Sequence, residues 1–149
     1  MRLTRLVSLA LAAGWCYFEG LAQATFALRN RYEGLDAPVY DWAGSLLWGP
    51  QWRIELYGGA ASDSLSPVVD FLYGSREIVG LGRPGYFWSS NGDLAVMTVP
   101  PSGWAWLQVR IWDVQLGATY EEASVRGMGG YGQSAVFYAQ GGNAYDTAD

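Results

Sequence analysis

Tyr86-Phe87-Trp88-Ser89-Ser90-Asn91-Gly92-Asp93-Leu94-Ala95-Val96-Met97-Thr98-Val99-Pro100-Pro101-Ser102-Gly103-Trp104-Ala105-Trp106-Leu107-Gln108-Val109-Arg110-Ile111-Trp112 is the stretch that decides the fold class. Its apolar residues recur with period two, and glycine and proline punctuate short runs, which is the pattern of β-strands. Asn91-Gly92 tolerates positive φ at both positions and predicts a two-residue turn joining Tyr86–Ser89 to Leu94–Val99 as a hairpin. Pro100-Pro101-Ser102-Gly103 then turns the chain into Trp104–Trp112, the longest strand. The whole reads as a three-strand antiparallel meander. In its last strand Ala105, Leu107, Val109 and Ile111 share one face, and Trp104, Trp106, Gln108, Arg110 and Trp112 share the other.

Working outward, Gln51–Tyr57 repeats the alternation, with Trp52, Ile54 and Leu56 against Arg53, Glu55 and Tyr57. Thr25–Arg31 reads as a first strand with Phe26 and Leu28 on one face. Asp36–Asp41 is a short extended piece whose proline suits a sheet edge. Residues 58–67 read as a loop, and Val68–Tyr73 and Ile78–Val79 as short strands. Thr119 with Glu122 three residues on matches a capping box, and Gly127 stops the resulting short helix, near 119–126. Residues 127–132 read as a glycine-rich connector to a last strand, Ser134–Gln140, and residues 141–149 as a loose tail. Some eight strands over residues 25–140 predict an all-β, two-layer antiparallel β-sandwich, of immunoglobulin-like or jelly-roll-like form.

The first 24 residues read as a secretory leader rather than as part of this domain. Arg2 and Arg5 precede an apolar run, Leu6–Phe18, and the segment closes on Ala22-Gln23-Ala24, the small-x-small pattern that a signal peptidase accepts. As a helix the run spans about 20 Å, short of the roughly 30 Å hydrocarbon core. Cleavage is therefore expected in place of a membrane anchor, with no stable membrane insertion afterwards. Cys16 does not mark a lipoprotein, because Trp15 before it is too large for a lipobox.

Composition then excludes much chemistry. Without residues 1–24 the chain keeps seven arginines against 13 acids, a net charge of −6, and has no histidine, lysine or cysteine. An acidic surface of this kind repels nucleic acid and anionic lipid. Ser-His-Asp, Cys-His and Schiff-base mechanisms are excluded, as are imidazole and thiolate metal sites. Carboxylate or tyrosine chemistry is what remains, and no cofactor or metal is expected.

Asn30-Arg31, Asp36-Ala37-Pro38-Val39, Glu55-Leu56-Tyr57-Gly58-Gly59, Gly85-Tyr86-Phe87-Trp88, Gln108-Val109-Arg110-Ile111-Trp112-Asp113, Thr119-Tyr120-Glu121 and Ser134-Ala135-Val136-Phe137 follow one another in that order. As an ordered set they resemble a group of exported bacterial proteins that often end in a PEP-CTERM sorting signal. The resemblance runs over nearly the whole domain and implies surface or matrix export rather than an activity; no catalytic residues carry over. The chain departs from the pattern after Gly141, where no Pro-Glu-Pro, apolar anchor or basic stop follows. It reads either as a fragment or as a released form.

Trp104, Trp106 and Trp112, with Gln108 and Arg110 beside them, form the best candidate site. Indole rings stack on the apolar faces of sugars, and the amide and guanidinium suit hydroxyl groups. Against this stands ordinary packing, since tryptophan is highly buried on average. Asp36, Asp41, Asp113, Glu121 and Glu122 are the carboxylates that glycoside hydrolysis or calcium would require, but turn, cap and solvated-surface roles account for them more simply. Residues 127–132 lack the Lys-Ser/Thr of a nucleotide loop, and Arg53 with Glu55 reads as a solvated surface pair. The expectation is an exported, non-catalytic protein of the cell surface or extracellular matrix, whose partners are polysaccharide or other surface proteins. The alternative is a carbohydrate-binding module using the tryptophan face; a carboxylate-dependent glycosidase ranks third.

Overall fold

Alternation within two long strands organises the molecule. A computed structural model describes residues 23–70, 72–89, 94–127 and 129–143. In chain order its elements are β1 (Ala24–Phe26), β2 (Arg31–Tyr32), β3 (Leu35–Asp36), β4 (Trp52–Gly59), β5 (Ser66–Pro67), β6 (Val69–Asp70), β7 (Ile78–Val79), β8 (Leu81–Arg83), β9 (Tyr86–Phe87), β10 (Leu94–Val96), β11 (Trp104–Asp113), α1 (Tyr120–Val125), β12 (Tyr131–Gln133), β13 (Phe137–Gln140) and β14 (Gly142–Asn143). One layer is a four-stranded sheet in the order β14-β1-β10-β6. The other has β4 and β11 at its centre, with β5 and β7 along the outer edge of β4 and β12 and β13 along that of β11. All these pairings are antiparallel. The molecule is thus an all-β, two-layer sandwich with one short helix.

β4 and β11 pair over eight residues, from Trp106 opposite Gly59 to Asp113 opposite Trp52. Their inward residues, Ile54, Leu56, Ala105 and Leu107, meet Ala24, Leu94 and Val96 of the other layer in one apolar core. Gly58 also points inward. A Cβ there would lie 2.7 Å from the Val96 side chain and 3.0 Å from Leu107, so the sheets approach closely only because the residue is glycine.

The loops at one end are tied down by Asn30, which is buried. Its amide nitrogen donates to the carbonyls of Ala37 and Gly85, and its side-chain oxygen accepts from the Phe87 N–H at 2.9 Å. The helix follows its local signals. The Thr119 hydroxyl accepts from the Glu122 N–H, and Gly127 leaves the helix with φ +63°.

The meander is not formed. Tyr86–Phe87 pairs with Leu81–Arg83 across Pro84-Gly85, and Leu94–Val96 lies between β1 and β6 in the other layer. Asn91-Gly92 itself lies outside the described residues. Two physical reasons displace the hairpin. Pro84 followed by Gly85 at φ +77° is itself a tight turn competing for the same strand. Leu94, Ala95 and Val96 are all buried, so this segment needs a central position. Pro100–Gly103 then carries the chain across to the other sheet, where β11 pairs with β4, β12 and β13.

Other boundaries shift as well. The glycine-rich connector contributes β12, and the start of the tail forms β14 against β1. β1 begins at Ala24, which is fully buried beside Gln23; residues 1–22 and 144–149 lie outside the described residues. Replacing Asn30 by alanine takes the side-chain partner from the Phe87 N–H and one donor each from the Ala37 and Gly85 carbonyls, the latter keeping the Val39 N–H, and should lower unfolding free energy by about 2 kcal/mol, read as a drop in the urea midpoint at unchanged slope.

Candidate functional site

The outward face of β11 divides into three parts, because different elements cover different stretches of it. At its start Trp104 is 51% exposed. Tyr138 of β13 stands opposite Trp106 and stacks on Trp104, with ring centroids 5.2 Å apart and planes at 24°. The same ring lies 4.7 Å from Trp106 at 37°. Trp104, Tyr138 and Trp106 therefore form one aromatic platform, on which both Trp104 and Tyr138 are about half exposed. Sequence reading found the two tryptophans and missed Tyr138, whose signal was its place in a strand able to pair beside them.

Gln108 and Arg110 lie in the middle, committed to internal bonds rather than free for a ligand. Gln108 is buried; its amide donates to the Ser134 carbonyl at 3.0 Å and its oxygen accepts from Arg110 Nε at 3.0 Å. The Arg110 guanidinium lies 3.8 Å above the Tyr57 ring centroid, a cation–π contact, and donates to Glu121 at 3.2 Å. Tyr57 donates its hydroxyl to the same Glu121 oxygen at 2.5 Å. Glu55 is not a solvated partner of Arg53. It is fully buried and takes a two-pronged ion pair from Arg76 at 2.5 and 2.6 Å, while Arg53 donates to the carbonyls of Pro50 and Trp52. The Arg76 segment covers this part of the face, which alternation within β4 alone does not reveal.

Trp112, at the far end, is 0% exposed and packs with Tyr120 and Ala123 of α1. It leaves the candidate site, because the helix that follows folds back over it. The candidate carboxylates are spread over separate structural duties. Asp36 accepts from the Tyr86 hydroxyl, Asp41 and Asp113 from backbone N–H groups of their own turns, and Glu122 from the Ala118 N–H. Among the described residues no group of three or more metal-ligating side chains is placed to hold an ion, and no helix is long and apolar enough to cross a membrane.

Electrostatics within the network give it a pH signature. Burial, then the bond to Glu121, pushes the Tyr57 hydroxyl well above the ordinary tyrosine range. Burial also acts to raise Glu121, but the Tyr57 hydroxyl, a backbone N–H, Arg110 and Arg76 outweigh it and hold the carboxyl below its usual range. The Glu121 contribution to stability is therefore complete above about pH 4.3 and is lost as pH falls through its lower folded value. That of Tyr57 is complete below about pH 10 and is lost as pH rises toward its higher folded value. Urea midpoints measured from pH 3 to 11 should fall at both ends, with the alkaline limb flattened in Tyr57→Phe and the acid limb in Glu121→Gln.

Burial separates the tryptophans energetically. Trp112→Ala should cost about 3–5 kcal/mol of unfolding free energy. Trp104→Ala, at a half-exposed position, should cost about 1 kcal/mol or less by the same denaturant titration. Compared with protein-family models, curated proteins and solved structures, the chain matches none, and its function is to be read from this geometry.

Proposed function

We propose that the chain is an exported, non-catalytic β-sandwich protein of the cell surface or extracellular matrix, and that it holds polysaccharide on the Trp104–Tyr138–Trp106 platform. The observation that carries the reading is the exposure of these stacked rings on the outside of the sheet. Burying them would be favourable by about 25 cal/mol per Å² of apolar surface, and aromatic faces left in water are what sugar C–H faces pack against. The basic-residue-led leader pattern and the resemblance to PEP-CTERM-type proteins support export. The lack of histidine, lysine and cysteine after residue 24 supports a binding role over catalysis.

Two measurements test this reading. Fluorescence titration of the purified chain with soluble polysaccharides should give a saturable shift that Trp104→Ala and Trp106→Ala diminish and Trp112→Phe retains. Recovery of shortened chains after incubation would replace the binding role with hydrolysis. For export, expression of the full chain in a Gram-negative host should deliver product beyond the cytoplasm without residues 1–24. Cleavage after Ala24 removes the Ala24 N–H bond to the Val99 carbonyl, so the mass of the new N-terminus also reports on β1. Full-length product retained in the cytoplasm overturns export.

A further inference from the structure

Trp42 is 99% exposed, in a segment where Tyr40, Leu46 and Trp48 are also exposed. It sits at the tip of a turn that is unusually well braced. Tyr40 bridges Leu46, the Asp41 N–H donates to the Ser45 carbonyl at 2.8 Å, and Asp41 Oδ1 accepts from both the Ala43 and Ser45 N–H groups at 2.9 Å. At its base the Val39 N–H donates to the Gly85 carbonyl and the Leu47 N–H to that of Val39. A turn fixed at both ends holds the backbone that carries the indole in one place before anything binds, so little backbone ordering entropy remains to be lost on association.

The turn forms one wall of a groove of about 750 Å³, within the usual range of about 300–1,000 Å³ for ligand sites. Trp42, Trp48 and Trp52 line it together with Asp41, Asp113 and Ile111. Trp52, Ile111 and Asp113 belong to the β4–β11 pair at the end away from Gly58, and their alternation sets them on the face opposite to Trp104 and Trp106. Asp41 and Asp113 each use Oδ1 for backbone N–H groups; their second oxygens accept nothing from the described residues. Three indoles thus stand beside two carboxylates with accepting capacity to spare, and no arginine lines the groove. Hydroxyl groups donate to carboxylates while the C–H faces of the same rings pack on indole. Phosphate, sulfate and uronate groups would meet like charge instead.

We infer that this groove is a binding site for a neutral polysaccharide chain, separate from the platform on the outer face. The inference rests on the polysaccharide reading above but not on the platform residues. Two sites on opposite faces let one molecule contact two chains, or two stretches of one chain.

Calorimetric titration of the purified chain with cellohexaose, xylohexaose and mannohexaose tests it, with polygalacturonate as the anionic probe. Trp42→Ala and Trp48→Ala should each weaken binding of at least one neutral hexaose by about tenfold, corresponding to about 1.4 kcal/mol. The circular dichroism spectrum and urea midpoint of Trp42→Ala should be unchanged, because that indole packs on nothing. Neutral binding that ignores both variants and disappears only in Trp104→Ala overturns the groove and leaves the platform standing. Binding that disappears only in the groove variants supports the groove and removes the platform. Trp42-dependent binding of polygalacturonate alone overturns the neutral class. Failure to bind any probe overturns both readings, and a Trp42-dependent self-association in sedimentation would make the groove a protein interface.

Discussion

The eight-residue register between β4 and β11 is the constraint on which the rest depends. It opposes Leu107 to Gly58, Val109 to Leu56 and Ile111 to Ile54 on the inner face, and Gln108 to Tyr57 and Arg110 to Glu55 on the outer face. Side chains alternate with period two, so a slip of one residue would turn one strand over against the other and carry either Glu55 and Tyr57 or Gln108 and Arg110 into the core. Gly58 adds a second requirement. The two layers meet where it admits the Val96 side chain, and any register that moved it would open a gap there or force a clash.

The outer-face network follows from that register and in turn protects it. Glu55, Arg76, Tyr57, Glu121, Arg110 and Gln108 are linked in one chain of hydrogen bonds, and Gln108 passes it on to Ser134. Burying the Glu55 carboxylate is costly, and that cost is offset by its two-pronged pair with Arg76. Here it joins β4 to the segment after β6, while Glu121 joins the helix to both central strands. Sealing the middle of the face in this way leaves the aromatic platform isolated at one end and Trp112 sealed beneath α1 at the other. The division of the face is therefore made by its covering elements rather than by the strand.

What was legible in the sequence is what local physics decides. The alternation of Trp52–Tyr57 and Trp104–Ile111, the Thr119–Glu122 cap and the glycine stop at 127 all depend on neighbours within a few residues, and all are found in the fold. Partner choice depends on distant residues and was not legible. Asn91-Gly92 offers a turn, yet Leu94–Val96 takes β1 and β6, strands at least 24 residues away along the chain, because it is buried on both sides. Trp104 and Trp112 have the same parity on one strand but opposite exposure, and only the return of α1 separates them. Glu55 is likewise hidden by Arg76, 21 residues further on. Of the groove tryptophans only Trp52 carried a periodic signal: Trp42 and Trp48 lie outside any strand, so only the folded chain brings the three together.

The pairing of β1 with β14 sets Ala24 directly opposite Asn143, and the strands run antiparallel. The start of β1 and the end of β14 therefore lie side by side at one corner of the four-stranded sheet. A pull applied between these two points would load the β1–β14 bonds one after another, as a zipper opens, rather than shearing them together. Tension applied at Ala24 and Asn143 would peel this edge first, while tension borne by the Trp104–Tyr138–Trp106 platform and one of these points would bypass it.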